Sequence, residues 1–412
     1  MRKFGPITLG WPSWGRKSGG AEDYISAYLR LLAGAGRQSK AGTVVTIDSA
    51  LRCSAYLACV RVIAQGIAQV PWQIYRKSSG RREVQSDHPL YYLLHTQANP
   101  WQTSYEFRET LGVHLTMCGK AYVWRTQVRG QDVELIPLPP NRVEAKRLSG
   151  GEMTYVYTSD DGQRLTLTQD EVWHIRGMGF DGVNGLDGLD LAREVLGLAI
   201  ATEEEHAARF RNGIQPSGTY SLDGTLTGKQ LTDLQQAIKL QVSGANAGLP
   251  LILDRNAKWM SLAMSGVDAQ HLETRRFQVE EVCRSVGVLP IMVGHADKTQ
   301  TYASAEQQFQ AHVTHTLLPR YVRIEQSADA YLLGRRQVEQ GYYTKFNASA
   351  LVRGTLKDRG EYYAKALGSG GSPGWMTQDE IRELEELNPF GGPAGQLPVA
   401  TNVPAAPGNT AP

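Results

Sequence analysis

The apolar and polar positions change period several times along the chain, and the longest regular stretch covers residues 304–334. There Phe309, Val313, Leu317, Tyr321, Ile324, Ala328 and Tyr331 recur at spacings of three and four, which places them on one face of a helix. Ser304 with Gln307 reads as a capping-box start and Gly334 as a stop. Pro319 falls inside the run, where it removes a backbone donor and clashes with the carbonyl of His315. The pattern therefore predicts one long amphipathic helix kinked at Pro319. Such a helix costs stability and suits a part that turns a corner between two layers of an assembly.

Helical periodicity also predicts helices over 49–70 and 104–118, each opened by a serine. Between Ala121 and His174 the period falls to two. Short antiparallel strands are predicted at 121–126, 133–138, 143–147, 154–158 and 172–175, separated by Gly, Asp and Pro-Pro. A helix over 189–211 ends at Asn212-Gly213. A compact insertion follows, with strands near 219–222, 249–253 and 258–263 and a helix opened by Thr227 with Gln230. Asp268 then caps a helix to Val286, striped by Leu272, Val279, Cys283 and Val286. The fold class is α+β. Gly, Ser and Trp crowd the first 42 residues, which read as a poorly ordered arm, and from Asn388 to Pro412 no charged residue occurs. That last segment cannot bury enough surface to offset its ordering entropy and reads as a flexible tail.

A chain of 412 residues implies two or more lobes. Its formal charge of +2 lacks the basic excess of a tight nucleic-acid binder, which neutralises many phosphates. Cys53, Cys59, Cys118 and Cys283 form no CxxC pair and read as small buried thiols in a reducing cytoplasm. No signal peptide and no membrane span is evident.

Catalytic motifs are missing. Neither the Gly-Lys of 119–120 nor that of 228–229 has the leading glycine, or the following Ser or Thr, of a phosphate loop. His114 with Cys118 shares a helical face but lacks further zinc ligands. His312 and His315 read as polar-face residues beside the kink. The run Glu203-Glu204-Glu205 reads as a solvated or subunit-facing surface. The acidic, glycine-rich 182–188 lacks GxGxxG spacing and reads as a flexible connector. No cofactor and no metal is called for.

Six stretches carry a family resemblance. They are SAYLACVRVIAQGIAQVPWQIY from Ser54, HPLYYLLHTQANPWQTSYEFRETLGVHLTMCGKAYVW from His88, EVWHIRGMGFDGVNG from Glu171, DAQHLETRRFQVEEVCRSVGVLPIMVG from Asp268, TKFNASALVRGTLKDRGEYYAKAL from Thr344, and MTQDEIRELEELNPFGG from Met376. In this order, across 49–392, they resemble the portal (head-to-tail connector) proteins of long-tailed double-stranded-DNA bacteriophages. The resemblance implies an arm (1–45), a wing (46–188), a first stem helix (189–213), a clip (214–266), a second stem helix (267–288), a tunnel-loop region (289–303), the kinked helix with the return to the wing (304–347), a crown (348–390) and a tail (391–412).

It further implies a non-enzymatic homo-oligomer, a ring of about twelve copies at one capsid vertex of the virion, assembled in the host cytoplasm. Double-stranded DNA would pass its channel without sequence readout, touched by the loop residues His295, Asp297, Lys298, Thr299 and Gln300. The clip residues Lys229, Gln230, Asp233 and Lys239 would meet the large terminase subunit and then the head-completion adaptor. The wing would face the major capsid protein or scaffold, with no membrane involved. Arg275, Arg276, Arg320 and Arg323 would face Glu280, Glu281, Glu325 and Glu203 to Glu205 of a neighbouring copy, making the stem interface polar and leaving apolar area to the wing. Two other readings stay open: an oligomeric tail or baseplate adaptor without a DNA channel, and a metal-dependent nuclease using Asp181, Asp187 and Asp190.

Overall fold

A computed structural model describes residues 37–78, 81–212, 218–221, 228–229, 232, 258–261, 267–295, 302–348, 356–368, 373–385 and 387–397. Two compact units divide between Phe346 and Asn347.

The first unit begins earlier than its sequence predicts. Within the expected arm, β1 (Arg37–Gln38) and β2 (Val44–Val45) pair antiparallel, and Val45 is buried. The helix expected over 49–70 is two helices, α1 (Ile47–Arg52) and α2 (Ser54–Ala68), parted at Cys53, whose backbone turns extended. Tyr56, Cys59, Val60, Ile63 and Ile67 make α2 the buried helix of the lobe. It packs on α4 (Ser104–Cys118), where Gly112 lies so near the Ala64 backbone that a methyl group would not fit, and α3 (Pro89–His95) packs on the strands Trp72–Ser78 and Gln131–Leu138. Thr103 and Glu106 cap α4 reciprocally, satisfying donors that a helix start leaves free.

Three three-stranded antiparallel sheets surround these helices. The first orders β12 (Val172–Arg176), β7 (Lys120–Val128) and β8 (Gln131–Leu138); the second orders β11 (Arg164–Leu167), β10 (Met153–Thr158) and β9 (Val143–Arg147). Tyr122, Leu138, Val143, Met153, Tyr155, Leu167 and Val172 form one cluster across both, the alternate positions that period two selects. The third sheet orders β15 (Tyr342–Phe346), β3 (Trp72–Ser78) and β4 (Arg81–Val84). It ties the two ends of the unit together: Phe346 pairs with Trp72, and their rings stack at 4.9 Å.

The long helical track carries its irregularity just before Pro319 rather than at it. It runs as α7 (Tyr302–His312), a π-wound turn (Val313–Leu317), α8 (Leu318–Ala328), a second π turn (Asp329–Leu333) and α9 (Gly334–Glu339). The interruption thus precedes Pro319, which sits in the first turn of α8, where a missing N–H costs nothing. The Leu318 N–H reaches back to the Val313 carbonyl, the wider bonding of a π turn, which relieves the crowding at the proline. Gly334, at φ 72°, breaks the track without ending it. Leu317, Tyr321, Ile324 and Ala328 are buried as the stripe predicts, whereas Phe309 is exposed.

In the second unit α10 (Leu356–Ala366) and α11 (Gln378–Leu384) are joined by Arg359, which reaches both carboxylate oxygens of Glu385 at 2.8 Å.

Candidate functional site at the root of a helical pair

Two helices leave and re-enter the lobe. The first, α5 (Gly188–Asn212), starts where Gly188 lies against the Thr116 carbonyl with no room for a side chain. The second, α6 (Val267–Val286), ends beside α2, with the Cys283 and Cys59 sulfurs 3.7 Å apart. The N-terminus of one and the C-terminus of the other are therefore at the lobe, so the pair is antiparallel. Gln278 Nε2 donates to Thr202 Oγ1 at 2.9 Å between them. Between their far ends β13 (Gly218–Ser221) pairs antiparallel with β14 (Lys258–Ser261).

The connector into α5 is not the flexible segment its composition predicts. Gly177 N–H donates to the Gly119 carbonyl at 2.8 Å and Leu186 N–H to the Met178 carbonyl at 2.7 Å. Any Cβ on Gly185 would overlap the Gly119 carbonyl oxygen, and Gly119 itself has φ 64°. Glycine is required at this crossing by both contact and conformation. Asp181 accepts the N–H groups of Val183 and Asn184, and Asp187 those of Leu189 and Asp190. The three carboxylates proposed for a nuclease thus serve backbone turns or, for Asp190, pair with Arg193 at 2.7 Å. Among the described residues no group of three or more His, Cys, Asp or Glu could hold a metal ion.

The exit from α6 is equally fixed. Gly287, at φ 76°, ends the helix, and the N–H groups of Gly287 and Val288 both return to the Cys283 carbonyl. A short 3-10 turn, Pro290–Val293, follows, closed by Gly294 at φ 80°. His295 N–H donates to the Pro290 carbonyl at 3.0 Å, and its Nε2 lies 3.6 Å from Glu280. Of the loop residues singled out from sequence, His295 is thereby placed at the root, and Asp297, Lys298, Thr299 and Gln300 lie outside the described residues. Lys229 is exposed, whereas Gln230, Asp233 and Lys239 lie outside the described residues.

The π turn closes over the end of α6. Thr316 Oγ1 donates to the Gly287 carbonyl at 2.8 Å, and Arg320 donates to the Val286 carbonyl at 3.2 Å and to Thr316's own carbonyl. These bonds satisfy carbonyls that a helix C-terminus leaves open. Burial, then the nearby Arg323, lowers the Arg320 pKa. His312, expected on a polar face, is 2% exposed instead; burial, then Arg320, lowers it to about 4.

The charged residues assigned to a neighbouring copy divide accordingly. Arg320 serves the π turn, and Arg323 donates to the Arg176 carbonyl at 3.1 Å. Glu325 is buried and cannot face another copy: it accepts Lys345 Nζ at 2.9 Å and Phe346 N–H at 2.8 Å. Glu281 pairs with Arg284. Arg275, Arg276, Glu203 and Glu204 are exposed. The outer face of α5 also carries exposed Leu191 and Leu198, and α6 carries exposed Phe277, so this pair is not purely polar. Sequence reasoning missed Thr316 and the Gly119–Gly185 crossing; the only signal was a pair of glycines, one in a Gly-Lys rejected as a phosphate loop and one in a run read as a connector.

A lobe that pins an antiparallel helical pair at both roots, and leaves opposite charges unused on its flanks, has the build of an assembly subunit. The chain belongs to the phage portal protein family, which it matches over residues 54–386, a family of structural, non-enzymatic proteins. It is 28% identical to the portal protein of Enterobacteria phage HK97, covering 83% of this chain and 80% of that one. It is 30% identical to the probable portal protein of Streptomyces phage phiC31, covering 86% and 79%. The fold is similar to a chain from the neck of a native gene transfer agent particle computed with C12 symmetry, at a TM-score of 0.57 and 21% identity, covering 90% of this chain and all of that one. No helix among the described residues is long and apolar enough to cross a membrane.

Proposed function

We propose that copies of this chain close into a ring at one capsid vertex of a tailed phage, and that double-stranded DNA enters and leaves through the ring's axial channel. The family match over residues 54–386 carries the reading. The C12 symmetry of the similar neck suggests a ring of about twelve copies. In these terms α5 and α6 are the stem, the β13–β14 pair is the base of the clip, the lobe is the wing, and the helices after Asn347 are the crown. The clip, through Lys229, Gln230, Asp233 and Lys239, docks the large terminase subunit during packaging and the head-completion adaptor afterwards. The wing faces capsid protein or scaffold.

Residues 289–303 form the tunnel loop, hung from the Gly287 and Gly294 turns and the His295 anchor. A small polar loop with one flexible cation, Lys298, touches phosphate without reading bases, which suits DNA that must slide. The test is to replace Lys298 and Gln300 by Ala in the virus-encoded gene. Rings should form as before while the yield of packaged or retained DNA changes. Unchanged DNA yield would remove the loop from the channel.

A further inference from the structure

We infer that Glu204 on α5 of one copy meets Arg276 on α6 of the next, and that this meeting sets the register at which stems close into a ring. The inference rests on the ring reading above.

The Gln278–Thr202 hydrogen bond marks where the two stem helices face each other. An α-helix turns about 100° and rises about 1.5 Å per residue. Glu204 is two residues beyond Thr202, and Arg276 is two residues before Gln278. Because the helices are antiparallel, both steps lead away from the lobe. Each side chain therefore stands about 200° around from the internal contact and about 3 Å farther out than it. One flank presents a carboxylate and the other a guanidinium at the same height. Both residues are exposed, and no ion pair within the described residues engages either.

Equal height is the condition that a ring imposes. Pure rotation carries one flank of a copy onto the opposite flank of its neighbour without rise, whereas a vertical offset at each step gives an open helix. Solvated ion pairs add little affinity, but like charges brought together by a slipped register are penalised. The pair thus selects closure more than it supplies adhesion.

The experiment uses the full chain, with assembly followed by mass photometry and negative-stain microscopy. Arg276→Glu and Glu204→Arg alone should each raise the concentration needed for rings by about tenfold, or yield open oligomers. Far-UV circular dichroism should be unchanged, because both sites are exposed. The double variant E204R/R276E should restore closed rings at wild-type concentration. Wild-type rings with unaffected single variants, or a double variant that fails to recover, would overturn this inference and leave the ring standing. Absence of rings from the wild-type chain at every concentration would overturn the ring reading itself.

Discussion

Individual side chains in this protein do more holding than chemistry. His174 and His312 are each almost wholly buried, and each has one ring nitrogen without a partner. Burial lowers His312 to about 4, and burial followed by Arg176 and Lys120 lowers His174 to about 3. An unfolded histidine titrates near ~6.5. Between these values the unfolded chain binds protons that the folded chain refuses, so stability is complete above ~6.5 and falls as pH drops. At pH ~5 the loss should be about 2 kcal/mol for each residue. Chemical denaturation at pH 7 and pH 5 checks this, and equal midpoints would contradict it. Residue identity alone could not reveal this behaviour. His312 sits four places before Thr316 in a polar-looking run, and its burial is set by tertiary packing that the local pattern does not encode.

At the scale of elements, α8 guards an edge. The strand β15 borders its sheet, and an unpaired strand edge invites association with other chains. Glu325 and Asp329, one turn apart on the helical track, accept the outward N–H groups of Phe346 at 2.8 Å and Thr344 at 2.7 Å. Carboxylates here replace a further strand. Glu325→Ala should therefore cost about 2–3 kcal/mol, the penalty of a buried N–H left unmade together with a lost charged bond. Arg335→Ala, which removes an exposed pair with Glu339, should change stability by less than about 0.5 kcal/mol. Urea unfolding of the two variants side by side measures the contrast; equal losses would show that the edge is not held this way.

Elements with a strong local period were legible in the sequence. The helix expected over 104–118 is α4, and that expected from Asp268 to Val286 is α6 to within a residue. The strands β7 to β10 and β12 were legible from alternation. What escaped was non-local. The β3 and β15 strands take their partners across the whole unit, with Trp72 opposite Phe346. The first π turn lies where Thr316 and Arg320 reach the carbonyls at the end of α6, and a period of three and four cannot announce it. Of the candidate site, the charged stem residues could be named from sequence. Their division into bonded residues such as Arg320 and free ones such as Arg276 needed the fold.

For the whole molecule, the central claim is a ring with an open axis. The glycine crossing at Gly119 and Gly185 fixes where α5 leaves the lobe, and the π turn fixes where α6 returns. A helical pair held at both roots can be repeated around an axis with little distortion, which a heterologous closed interface requires. The most direct measurement is electron microscopy of the purified full-length chain, scored on end-on views. The account predicts rings of about twelve copies around an open central hole. Monomers, dimers or discs without an axial opening, at concentrations where a stable ring would form, would contradict it.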